Sequence, residues 1–168
     1  MLSEPEANTS SPERQYLHAP ISQEFFDGSH RAIAIQVYRP SLGRWVVVGK
    51  VAGVDGETVL AVTYRHRQRL QNRVSLPLVA IRYGIEHGAQ AVIVRYDDER
   101  VALRLPIEDA LRHGWREALD GQVEVWLPLS LFEEGDWVDW PYATAAVRLG
   151  PGPGELPRQL ALLGEAAR

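Results

Sequence analysis

Between residues 32 and 64 the chain runs through three segments rich in β-branched and aromatic residues, AIAIQVY (32–38), WVVVGKVAGV (45–54) and TVLAVTY (58–64). Segments of this length and composition predict strands. Asp55-Gly56, between the second and third, supplies the residue types that tolerate the backbone of a two-residue hairpin turn. The pattern then changes period. Ser75 stands as an N-cap, Pro77 is tolerated in a first turn, Leu78, Ile81 and Ile85 fall on one face and Gly88 follows as a stop, which predicts a helix. AVIVRY (91–96), the polar turn 97–99 and RVALRL (100–105) predict a second hairpin. Glu108 and Asp109 suit the positive end of a second helix, expected to run through Leu111 and Trp115 to Leu119 and to stop at Asp120-Gly121. QVEVWL (122–127) and ATAAVRL (143–149) predict the last strands. The expected order is β-β-β-α-β-β-α-β-β, an α+β or mixed α/β fold with one sheet built from hairpins and two helices on one of its faces.

The ends differ in character from the middle. Residues 1–28 carry Pro5, Pro12, Pro20 and a Ser/Thr/Asn cluster at 8–11 with few aliphatic residues, the composition of a largely disordered leader. Residues 29–149 are expected to form a single globular domain. Residues 150–154 read Gly-Pro-Gly-Pro-Gly, where regular structure should stop, and the remainder to 168, with Leu156, Leu160, Leu162 and Leu163, reads as a short helix or tail. VDGETVLAV (54–62) and YDDERVALR (96–104) echo each other, through a duplicated ββα unit or through the shared demands of hairpin turns.

Composition narrows the chemistry. The 168 residues include 18 basic and 22 acidic side chains and are 45% hydrophobic, which suits one ordinary core. The absence of cysteine excludes disulfides, iron–sulfur clusters, thiolate zinc sites and cysteine nucleophiles. No run approaches the roughly 18 apolar residues of a membrane span, and the N-terminus has neither a basic start nor an apolar stretch. A cytoplasmic protein with no membrane partner is the resulting expectation. Gly-x-Ser-x-Gly and Gly-x-Gly-x-x-Gly are missing, and Gly49-Lys50 lacks the glycine-rich loop that would make it a phosphate loop. His18, His30, His66, His87 and His113 show no metal-ligand spacing. Neither a metal nor another cofactor is expected.

The segment Arg65-His66-Arg67-Gln68-Arg69-Leu70-Gln71-Asn72-Arg73 places four arginines and a histidine in nine residues of a chain whose formal charge is −4. Arginines clustered between a strand end and a helix start can neutralise phosphates, and Gln and Asn can bond to sugars or base edges. The surrounding stretch 61–96, AVTYRHRQRLQNRVSLPLVAIRYGIEHGAQAVIVRY, resembles the third strand, loop, helix and last core strand of restriction-endonuclease-like (PD-(D/E)xK) nucleases, in their virus-type replication-repair branch. The resemblance covers about a third of the chain. It implies a nuclease-like fold in which a carboxylate on the second strand and a Glu-x-Lys pair on the third hold a metal for phosphodiester cleavage. Val62-Thr63-Tyr64 stand in the Glu-x-Lys place, so the resemblance implies a member that keeps a phosphate-facing surface without that catalytic scheme. Asp55 and Glu57 are the nearest acids for displaced metal ligands, although their spacing also fits a hairpin turn.

Two readings of function follow. In the first, a noncatalytic nuclease-like module contacts nucleic acid through Lys50, Arg65, Arg67, Arg69 and Arg73, with Tyr64 and Gln68 as secondary contacts. In the second, a protein-interaction or structural module, or a homo-oligomer, uses Trp137, Trp140, Tyr142 and the C-terminal leucines, since large rings dominate binding surfaces. The same rings also suit the cap of the protein's own core.

Overall fold

The computed structural model describes residues 15–17, 32–67 and 72–154. Among the described residues it is an α+β fold of two sheets and two short α-helices. In chain order the elements are β1 (Gln15–Leu17), β2 (Ala32–Arg39), β3 (Arg44–Val54), β4 (Glu57–Tyr64), β5 (Arg73–Pro77), α1 (Leu78–Glu86), β6 (Ala91–Tyr96), β7 (Val101–Pro106), α2 (Ile107–His113), β8 (Trp115–Leu119), β9 (Gln122–Pro128), β10 (Glu133–Gly135) and β11 (Ala145–Leu149). The large sheet has the order β1-β11-β2-β3-β4-β6-β7-β10 and the small one β5-β9-β8.

The middle of the large sheet is an antiparallel meander, β2 to β3 to β4, to which β6 adds in parallel beside β4. On one face Ile33, Ile35, Val51, Leu60, Val92, Val94 and Leu105 pack with Ile81 of α1, Ile107 and Ala110 of α2, and Val74, Leu76, Val125 and Leu127 of the small sheet. The other face is built from small side chains. Ala32, Ala52, Ala61, Ala91 and Ala102 lie there with Val54, Val59 and Ile93, and Val138, Trp140 and Ala143 from the segment before β11 lie across them. Alanines leave room for an irregular segment and an indole to approach the sheet closely.

The expected order changes at several places. Arg73–Pro77 is a strand, so Ser75 pairs with Trp126 and does not cap a helix, and α1 starts at Leu78 after an extended Pro77. Val74 and Leu76 alternate inward with period two, a signal outweighed in the sequence by the cap-like Ser and Pro. The second helix ends at His113, and Trp115–Leu119 forms a strand. A side chain at Gly114 would meet the Ala110 carbonyl at 2.7 Å and Leu127 at 3.0 Å, so glycine lets the chain turn tightly from α2 into β8. Asp120 and Gly121, with φ of 44° and 88°, form a hairpin turn between β8 and β9, as Asp55 and Gly56 do between β3 and β4 with φ of 50° and 80°. Two sheets therefore replace the single one expected. Within 1–28, Gln15–Leu17 pairs in parallel with β11. The four C-terminal leucines fall outside the described residues.

Candidate nucleic-acid site in a split sheet

β3 and β4 are hydrogen-bonded only from Val54–Glu57 to Lys50–Ala61. Beyond that pair they separate. Opposite Ile35 and Gln36 of β2 the register slips, Gly49 facing Ile35 and Val47 facing Gln36, which leaves Val48 as an extra residue in β3. Such a bulge bends its strand and increases its local twist. The divergence opens a cleft of about 760 Å³, walled by Val47 to Lys50 on one side and Ala61 to Tyr64 on the other. Ser75 and Pro77 of β5, Glu124 of β9, Arg39, Arg95, Asp139, Trp140 and Tyr142 complete the lining.

Its charged groups arrive from four elements. Arg39, at the end of β2, donates from Nη1 to Glu124 Oε2 at 3.0 Å and to the Leu119 carbonyl at 3.3 Å. Glu124 is 1% exposed. Burial raises its pKa, while Arg39 and a hydrogen bond from Ser75 pull it back. Arg95 of β6 donates to the Val138 carbonyl at 2.8 Å and lies 3.8 Å from Asp139. Its guanidinium sits 4.0 Å from the Trp140 ring centre and 4.5 Å from that of Trp137. Tyr64 stacks on Tyr96 with centroids 5.5 Å apart. Burial, then the neighbouring Tyr96 and Glu124, push its phenol up to about 12, so it remains a neutral donor at physiological pH. Pro77 leads directly into α1, whose first turn has no side-chain cap.

The residues singled out in the sequence separate into groups. Lys50 and Tyr64 line the cleft, as do Val62 and Thr63. Arg65 is exposed immediately beyond β4. Arg67 lies over the Tyr96 ring at 5.3 Å and 3.5 Å from Glu99, with its backbone N–H on Asp98, and His66 Nδ1 is 3.7 Å from Asp98. The β6–β7 turn thus anchors this part of the basic segment. Arg73 lies away from Arg67, over Trp126 at 4.7 Å and Trp115 at 5.7 Å. Gln68 and Arg69 fall outside the described residues. Trp137 and Trp140 clasp Arg95, whereas Tyr142, at 73% exposure, stands on the cleft rim. Asp55 occupies its turn, and Glu57 forms a two-contact ion pair with Arg104 of β7, reaching past β6.

Arg39, Arg95 and Glu124 carried no local signal in the sequence. Each is a polar residue in a strand that reads as ordinary surface until the two sheets are brought together. Among the described residues no group of three His, Asp or Glu side chains is placed to hold a metal ion, and no helix is long and apolar enough to cross a membrane. Protein-family models, curated proteins and solved structures offer no match to this chain.

Proposed function

We propose that this protein binds nucleic acid without cleaving it, seating a phosphate and its nucleoside in the cleft between β3 and β4. The observation that carries this reading is the lining itself. Lys50, Arg39 and Arg95 meet Tyr64, Trp140 and Tyr142 around one opening, the combination of cations and ring faces that nucleotides require. Arg65 continues the cationic path from the end of β4. Val62, Thr63 and Tyr64, standing where the nuclease-like pattern has its Glu-x-Lys pair, face this cleft and offer a hydroxyl and a phenol in place of metal ligands. Binding without hydrolysis is the chemistry these side chains support.

Fluorescence anisotropy of labelled DNA and RNA oligonucleotides at about 50 mM and about 200 mM salt tests the reading, because phosphate contacts make affinity fall steeply with salt. Salt-sensitive binding that is lost in the Lys50→Glu, Arg65→Glu double variant is expected. Signals that stay flat for every probe at the lower salt, or binding that the double variant retains in full, would overturn it.

A further inference from the structure

We infer that the row Ser75, Trp126 and Trp115 of the small sheet is a stacking platform for the bases of a single-stranded nucleic acid whose backbone enters the cleft, an inference that rests on the reading of the cleft given above. In an antiparallel sheet directly opposed residues project from the same face. Ser75, Trp126 and Trp115 are opposed in turn across β5, β9 and β8. Ser75 lines the cleft, so this row leads from the cleft wall outwards across the two indoles. The opposite face of the same strands, with Val74, Leu76, Val123, Val125 and Leu127, is fully committed to the core. Trp115 therefore does not serve as core filling, and Trp126 beside it is half-buried with its indole N–H enclosed. Trp115 remains 42% exposed on an edge strand whose five residues are all exposed.

The chemistry of the row favours a polyanion with flat groups. The Arg73 guanidinium lies 4.7 Å from one indole and 5.7 Å from the other, a cation beside two ring faces. Bases stack on such rings with little regard to sequence, and each stack contributes a sizeable share of affinity. Only unpaired bases expose those faces, since in a duplex they are covered by their neighbours. Glu117, opposed to Glu124 in the next row, puts negative charge on the side towards the β8–β9 turn. The strand's path accordingly runs from Lys50 and Ser75 towards Arg73 and away from Glu117.

The test compares wild type with Trp115→Ala and Trp115→Phe, using an oligothymidylate of about 12 nucleotides, the same length of duplex, and thymidine monophosphate. Trp115 is a half-exposed edge residue, and thermal unfolding of each variant checks that the fold is kept. The expected result is single-strand binding tighter than duplex binding, weakened roughly tenfold by Trp115→Ala and largely restored by Trp115→Phe, with the monophosphate unaffected because it fills the cleft alone. Salt-sensitive oligothymidylate binding that Trp115→Ala leaves unchanged, or duplex binding as tight as single-strand binding, would overturn the platform while leaving the cleft reading intact. Failure of wild type to bind any of the probes would overturn both.

Discussion

Two carboxylates four positions apart, one in the β8–β9 turn and one on β9, illustrate how position alone reverses the effect of a residue type. Asp120 is exposed and accepts hydrogen bonds from the Ser41 backbone N–H at 2.9 Å and hydroxyl at 2.5 Å, which hold its pKa below the usual carboxylate range. Glu124 is buried in the cleft wall, and the loss of hydration outweighs Arg39, so its pKa is raised. The consequences for stability have opposite signs. Asp120 contributes stability that is fully present above its unfolded-state pKa and is lost as pH falls through its depressed folded value. Glu124 binds its proton more tightly in the folded state, so its contribution declines as pH rises from the ordinary glutamate range through the raised value. Thermal unfolding between pH 3 and pH 8 checks this against Glu124→Gln and Asp120→Asn. Relative to Glu124→Gln the wild type should lose ground as pH rises, and relative to Asp120→Asn it should lose ground as pH falls. Parallel curves for either pair would contradict the assignment. None of this was legible in the sequence, where both acids flank or follow the Asp120-Gly121 turn and Arg39 lies some eighty positions away.

At the scale of elements, the legible parts were those with one strong local signal. β2, β3, β4, β6, β7 and β9 follow from their apolar, β-branched runs, and Asp55-Gly56 makes the hairpin its residues predict. β5 and β8 were hidden by ambiguous punctuation. Asp120-Gly121 closes a hairpin as readily as it ends a helix, and the i, i+4 spacing of Leu111, Trp115 and Leu119 imitates a helical face although Gly114 breaks the helix between them. The segment 136–142 was legible as an aromatic cluster but not in its role. Its two tryptophans are ordered by Arg95, a residue on a strand more than forty positions earlier. Arg95→Leu should lower stability by roughly 2–3 kcal/mol, from the lost ring contacts and hydrogen bond, and red-shift tryptophan emission as the indoles become hydrated. Arg95→Lys should recover only part of this, because an ammonium lacks the planar fork that lies between two rings. A variant with unchanged melting and emission would contradict the clasp.

For the molecule as a whole, the fold brings Arg39, Lys50 and Arg95 together with Tyr64, Trp140 and Tyr142 from distant parts of the chain to one opening. The large sheet splits at Lys50–Ala61, the small sheet closes over one side with Ser75 and Glu124, and the row Ser75, Trp126, Trp115 carries the surface outwards past Arg73. The sequence showed the cations as a linear cluster from 65 to 73, whereas the fold ties Arg67 to the β6–β7 turn and sets Arg73 among tryptophans that lie more than forty positions further along. The cleft itself has no linear motif, since it depends on a one-residue bulge at Val48 and on two strands that part company. Hydrogen exchange of the protein, free and with excess oligothymidylate, addresses this account most directly. Slowed exchange is predicted in 47–50, 61–65 and the strands of the small sheet, with the β10 edge and the 55–56 turn unchanged. Oligothymidylate that slows exchange nowhere in the cleft or small sheet, or that protects the β10 edge instead, would contradict it.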